Sequence, residues 1–196
     1  YFWEGLAPAV ERRATAALAL LEAAGARLQE VALPGMPDIV AAQAVISFAE
    51  AAAYHEPEFA ARPEAYGPDV RERLEAGLTV RAVDYLRAQR VRTLAIATMN
   101  GVLREVDLLV TPATPIVATP LAGPDARALR GPLTRCTAPF NLTGLPALSV
   151  PCGFDDDGLP VGLQLVGRAF EEAVVLRAGW AVEAAAGVAG RRPPVD

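Results

Sequence analysis

The spacing of apolar residues predicts helices along most of the chain, with short strands between them and towards the C-terminal end. Apolar positions three and four residues apart form one helical face in five segments. These predicted helices cover residues 8–25, 37–59, 69–77, 80–106 and 171–187. Shorter apolar runs bounded by proline or glycine predict strands. The predicted strands cover residues 26–33, 107–111, 147–150 and 161–166.

Residues 139–167, PFNLTGLPALSVPCGFDDDGLPVGLQLVG, have the pattern of two strands joined by a polar turn. The first apolar run is predicted to end at Pro151, and the turn contains three successive aspartates at 155–157. These aspartates do not have the spacing of a calcium-binding loop, so we interpret them as a hairpin turn. Ser149 lacks the Gly-x-Ser-x-Gly context of a nucleophile and is predicted to be a buried strand residue.

The composition is that of an ordinary globular chain, with 53% hydrophobic and 21% charged residues. A net charge of −5 and the lack of a basic cluster give no reason to expect a nucleic-acid partner. No uninterrupted apolar run reaches about eighteen residues, so no membrane-spanning helix and no membrane partner are predicted. The chain opens YFWEG without methionine, from which we expect that Tyr1 is not a native N-terminus.

The residue types available limit the chemistry that this chain supplies by itself. All 18 basic residues are arginines, His55 is the only histidine, and Ser47 and Ser149 are the only serines. Neither a Ser-His-Asp triad nor a histidine-based metal site is predicted, and the sequence implies no cofactor. Cys136 and Cys152 do not form a CxxC pair, and we interpret them as buried free thiols of a cytoplasmic protein.

Several segments resemble the C-terminal part of the amidase signature family. They are LEAAGARLQEVALP at residues 21–34, YLRAQRVR at 85–92, DLLVTPATP at 107–115, and the segment 137–167. The resemblance implies an α/β fold: the C-terminal part of a large mixed β-sheet flanked by α-helices. It also implies that residues 1–196 are the C-terminal part of a single amidase signature domain whose catalytic N-terminal part is absent. Without the N-terminal part of the domain, residues 1–196 are expected to expose sheet edges and apolar faces, which favours aggregation or formation of a homo-oligomer.

The chemistry of that family is acyl transfer by a Ser-Ser-Lys triad, in which an unprotonated lysine activates the nucleophilic serine through a second serine. In the family the triad precedes the region matched here, and this chain contains neither a lysine nor the family's Gly/Ser-rich loop. The resemblance therefore implies a longer amidase that hydrolyses a small-molecule carboxylic amide to an acid and ammonia or an amine. This chain alone is expected to be inactive.

Two alternatives to a general amidase stay open. Some family members are amidotransferase subunits that release ammonia from glutamine for Glu-tRNA(Gln), and they hold glutamine through an arginine and an aspartate. By position these fall on Arg73, in the pattern R-x-R-L-x-x-G, and on Thr134. A neutral threonine counts against glutamine, and Arg73 fits equally an ion pair with Asp69 or Glu75. The other alternative is a non-catalytic interaction domain that has lost the triad.

The candidate substrate-binding residues in the C-terminal half follow a strand or precede residues 139–167, which we call the signature segment. Loops at strand ends form the pockets of many α/β proteins. We therefore expect two segments to line the substrate, and we call them the rim segments: residues 111–115, and Arg135, Cys136 and Thr137. Residues 112–132, rich in proline, threonine and glycine, are predicted to be a loop.

Overall fold

The structure is a computed structural model and describes residues 1–120, 133–188 and 190–192. Its helices follow the predicted order along the chain. They are α1 (Pro8–Ala23), α2 (Met36–Ala61), α3 (Pro68–Leu78), α4 (Ala82–Val102), α5 (Ala138–Thr143) and α6 (Glu172–Ala186). The strands are β1 (Leu109–Pro112), β2 (Ala147–Phe154) and β3 (Pro160–Val166). The predicted helices are thus confirmed, as are three of the predicted strands, with ends shifted by a few residues.

The predicted strand over residues 26–33 is wrong. In the part of the chain that the structure describes, no strand pairs with this segment, and Leu28, one of its alternating apolar residues, is 41% exposed. A strand needs a neighbour to satisfy its N–H and C=O groups, and the alternation of side chains alone does not supply one. The loop predicted over residues 112–132 falls outside the described residues from 121 onward.

Two compact units make up the chain. The first comprises Tyr1–Ala32 and Asn100–Asp196, and the second comprises Leu33–Met99. In the first unit, α1 and α6 cover one face of the sheet. The buried side chains of this core are Val10, Ala14, Ala17, Leu21, Val150, Cys152, Val161, Leu163, Leu165, Val175 and Val182. The apolar stripe of α1 predicted from the sequence therefore faces the sheet, and the α/β class is confirmed.

The three described strands form an antiparallel sheet in the order β1-β3-β2. The prediction that Pro151 ends a strand is wrong, because β2 continues through it to Phe154. Pro151 lies opposite Gly162, whose carbonyl accepts a hydrogen bond from Ala113 on the other side of β3. Since N–H and C=O of a strand residue point to the same side, the Gly162–Pro151 pair is not hydrogen bonded. The missing N–H of Pro151 therefore costs the sheet no bond, and the register shifts immediately after it.

The turn between β2 and β3 has the conformation that its aspartates predict. The Oδ1 atom of Asp155 accepts hydrogen bonds from the main-chain N–H of Asp157 at 3.0 Å and of Leu159 at 2.7 Å. This side chain closes the turn as an Asx motif, and Gly158 takes a positive φ of 82° within it. The interpretation of residues 155–157 as a hairpin turn is confirmed.

The second unit is helical, with α2 and α3 in contact and a short 3-10 turn at Pro63–Ala65 between them. The helices approach closely at Gly77, where an added Cβ would overlap the main-chain carbonyl of Phe48. By length and composition alone, α2 satisfies the test for a membrane-crossing helix among the described residues. One such helix is weak evidence of a membrane span.

Candidate functional site

The second rim segment lies in a tight turn directly before α5. The carbonyl of Thr134 accepts hydrogen bonds from both the main-chain N–H and the Oγ1 hydroxyl of Thr137, each at 3.2 Å. α5 has Pro139 in its first turn and is followed by Gly144, which has a φ of 71°. These are the proline and glycine positions that favour the start and the end of a helix. They are the signal by which α5, which the apolar spacing did not predict, could have been recognised.

Cys136 lies at the centre of this turn and is fully buried. Burial raises the pKa of its thiol above the ordinary value, and the neighbouring Arg135 guanidinium opposes that effect only in part. The thiol is therefore protonated at neutral pH, which makes it a poor nucleophile. Cys152, on β2, is also a buried free thiol, so the prediction of two buried free cysteines is confirmed.

Arg135 is held on the outer side of the turn by the first residues of the chain. Its Nη2 donates to the carbonyl of Glu4, and its guanidinium lies 5.5 Å from the centre of the Tyr1 ring. Its Nε is buried and makes no hydrogen bond within the described residues.

Gln164 on β3 connects the two rim segments. Its Nε2 donates one hydrogen bond to Thr111 Oγ1 on β1 at 2.9 Å and another to the carbonyl of Cys136 at 3.0 Å. Gln164 is 3% exposed and Thr111 is 4% exposed. Sequence reasoning missed Gln164, although one polar residue inside the apolar run of residues 161–166 is an indication of a buried hydrogen-bonding role.

Ser149 lies on the same face of the sheet, directly opposite Gln164 in the register of β2 and β3. The prediction that Ser149 is a strand residue is confirmed, but the prediction that it is buried is wrong, because its side chain is exposed. The alternation of β2 places Val150 and Cys152 against the core and leaves Ser149 on the opposite face.

Arg73 lies on α3 and therefore belongs to the second unit, whereas Thr134, Arg135, Cys136 and Thr137 belong to the first. Its side chain is exposed. Among the described residues, Arg73 makes no ion pair with Glu75. The substrate-binding role of these five residues stays a prediction.

Other chemistry-bearing groups in the described ranges are scattered. Within residues 1–120, 133–188 and 190–192, no three histidine, cysteine or acidic side chains are close enough to hold a metal ion. The single histidine, His55, shares a hydrogen bond of 3.1 Å with the hydroxyl of Tyr66 in the second unit. Its ring packs edge-on against Tyr54 and Tyr66, as an aromatic residue in a local cluster does.

Comparison with known proteins agrees with the resemblance seen in the sequence. The profile of the family described as "Amidase" matches residues 1–176. The chain is 39% identical to a glutamyl-tRNA(Gln) amidotransferase subunit from Chloroflexus aggregans, over 98% of this chain and 44% of that protein. It is 41% identical to an amidase of Pseudomonas putida, over 94% of this chain and 41% of that protein.

The fold agrees as well. A solved crystal structure of an amidase superposes with a TM-score of 0.85 at 35% identity, covering 93% of this chain and 43% of that one. The chain thus spans less than half of the length of these relatives.

Proposed function

Because the chain belongs to the amidase signature family, we propose that the protein containing it hydrolyses a carboxylic amide to an acid and ammonia or an amine. We call the product of the complete reading frame that includes these 196 residues the parent protein. The family match over residues 1–176 supports an acyl-transfer hydrolase. The same match includes residues of both compact units, which supports one amidase domain for the whole chain.

In the proposed mechanism, a serine of the parent protein attacks the amide carbonyl, and a lysine acting through a second serine takes its proton. Main-chain N–H groups hold the oxyanion that forms. A chain without lysine supplies no such base, and the relatives are more than twice as long, so the triad is assigned to another part of the parent protein. This chain contributes the rim segments, and by itself it does not catalyse the reaction.

The observation that favours a general amidase over a glutaminase is Thr134. Glutamine carries an ammonium group, and a carboxylate at this position would pair with it. Thr134 is neutral and exposed, so it offers no such charge. We therefore expect the substrate to be an amide that places no charged α-amino group near residue 134. Buried free thiols at Cys136 and Cys152 suit a reducing compartment, which supports a cytoplasmic location.

A second candidate, a glutamine-dependent amidotransferase subunit, rests on specific observations. The chain is 39% identical to such a subunit, and the resemblance assigns the glutamine carboxylate to Arg73, whose side chain is exposed. In that case the parent protein would act with partner subunits and tRNA.

Ammonia release by the purified parent protein distinguishes the two. The panel contains simple aliphatic and aromatic amides, and glutamine, each assayed at the same concentration. We expect hydrolysis of neutral amides with glutamine a poor substrate, and no hydrolysis by the 196-residue chain alone. Glutamine as the best substrate would favour the amidotransferase. No hydrolysis of any amide, with or without partner subunits, would favour the interaction domain.

A further inference from the structure

We propose that Gln164 is a positioning residue that fixes the two rim segments relative to each other and thereby sets substrate affinity. The inference rests on the proposed function, in which these segments line the substrate. It concerns a residue that lies on neither segment. The basis is the pair of hydrogen bonds from Gln164 Nε2 to Thr111 Oγ1 and to the Cys136 carbonyl.

The orientation of the Gln164 amide is dictated by its partners. The Cys136 carbonyl oxygen only accepts hydrogen bonds, so the amide nitrogen and not the amide oxygen must face it. The hydroxyl of Thr111 donates its proton to the carbonyl of Pro112 at 3.0 Å, which leaves its oxygen free to accept from Gln164. Both amide hydrogens are therefore used, one on each rim segment.

The environment makes this pair of bonds consequential. Gln164, Thr111 and Cys136 are each less than 5% exposed, so water cannot take the place of a lost donor. A buried acceptor left without its donor is costly, whereas the same loss at the surface is compensated by solvent. Gln164 also lies on β3, the central strand of the described sheet, which gives it a rigid base.

The two segments otherwise belong to separate stretches of chain. The first continues β1, and the second precedes α5 by way of the Thr134–Thr137 hydrogen bonds. The Gln164 carboxamide therefore joins one segment directly to the other, so the loss of its two hydrogen bonds lets one segment shift more easily relative to the other. Because a displacement of about 1 Å in a binding group can cost about a hundredfold in rate, this coupling has a kinetic consequence.

The test measures thiol accessibility and kinetics in the parent protein carrying Gln164→Met or Gln164→Leu. Both replacements are neutral and remove the two donors, and methionine keeps the length of the side chain. Iodoacetamide labelling of Cys136 and Cys152 is followed at fixed pH by peptide mass spectrometry. We expect labelling of Cys136 to be about tenfold faster, as the loss of these hydrogen bonds predicts, with Cys152 unchanged.

The matched control is Leu165→Ala, on the same strand but facing the core that contains Cys152. It should accelerate labelling of Cys152 at least as much as that of Cys136, and leave KM unchanged. In the Gln164 variants KM for the amide should rise several-fold with a smaller change in kcat. Thr111→Val, which removes the hydroxyl that accepts from Gln164, should act in the same direction.

Two results would overturn the inference. Labelling of Cys136 that does not change, or that rises only together with Cys152, would show that Gln164 does not hold the turn. Selective labelling of Cys136 with unchanged KM would show that the turn is not part of the substrate site. If the wild-type parent protein hydrolyses no amide, the proposed function fails, while the labelling result still reports whether Gln164 holds the turn.

Discussion

The Nε atom of Arg13 on α1 donates a 2.7 Å hydrogen bond to the main-chain carbonyl of Phe154, the last residue of β2. The arginine side chain reaches this carbonyl by crossing directly over Gly153. A Cβ at that residue would lie 2.7 Å from Arg13 Cδ, closer than two carbon atoms approach. Gly153 also has a φ of 154°, which favours glycine. The contact between α1 and the hairpin therefore requires both residues.

Gly153→Ala should destabilise the parent protein by about 1–3 kcal/mol, because it adds both overlap with Arg13 and backbone strain. In an Arg13→Ala background the overlap is absent, so only the strain remains. We expect a coupling of at least about 0.5 kcal/mol in a double-mutant cycle measured by chemical unfolding. Strictly additive losses would show that Arg13 does not cross Gly153.

Two helical glycines should respond to alanine in opposite directions. An added Cβ at Gly77 overlaps the carbonyl of Phe48, which cannot move without displacing α2, whereas Gly101 has no atom within 4 Å of such a Cβ. Gly77→Ala should destabilise by about 1–3 kcal/mol through overpacking. Gly101→Ala should stabilise by about 0.5–1 kcal/mol through the smaller entropy of the unfolded chain. Unfolding midpoints of the two variants compared with wild type decide this; equal shifts would contradict the close approach of α2 and α3.

The buried thiol of Cys152 should make stability depend on alkaline pH. Burial raises its pKa to about 11, whereas an unfolded cysteine has a pKa of about 8.5. The folded state keeps a proton that the unfolded state loses, so this contribution is complete below about pH 8.5 and is lost as the pH rises towards about 11. The difference corresponds to roughly 3 kcal/mol.

Cys152→Ala is the control for that effect, since it has no thiol to titrate. The free energy of unfolding of wild type minus that of Cys152→Ala should fall steadily between about pH 8.5 and 11. A difference that stays constant over this range would show that the thiol is not protected by burial.

Substrate preference should shift when residue 134 gains a charge. Under the proposed function, Thr134→Asp places a carboxylate where the ammonium group of glutamine would lie. Its kcat/KM for glutamine relative to a neutral amide should rise about tenfold, the effect of one charge-assisted hydrogen bond. Thr134→Asn, similar in size but neutral, should leave the ratio near the wild-type value. Equal ratios in both variants would remove residue 134 from the substrate site.

Apolar spacing predicted the helices, and in α1 the predicted stripe from Val10 to Leu21 becomes buried against the sheet. It failed where formation of an element depends on a distant partner. Residues 26–33 alternate like a strand but have no strand beside them among the described residues. Proline commonly ends a strand, but Pro151 is tolerated within β2 because its nitrogen points away from the neighbouring strand β3.

The candidate site was predictable to the level of segments and no further. Strand ends and the approach to the signature segment identified residues 111–115 and 135–137 as candidates. The bridge between them depends on Gln164 lying opposite Thr111 in the register of β1 and β3. Register is set by pairing across more than fifty residues of sequence, as in the Gln164–Thr111 bond at a separation of 53. Local patterns do not contain that information.

Pro151 also limits how far the described sheet can grow. Its nitrogen points away from β3, towards the side of β2 on which the described residues form no further strand. A strand that added on that side would need main-chain donors from β2. Any strand that adds there, from the same polypeptide or from another molecule, meets a position with no N–H and, immediately after it, the irregular register before Gly153. Recruitment of a neighbour is thus confined to Ala147–Val150, and the remainder of the β2 edge is protected from intermolecular pairing.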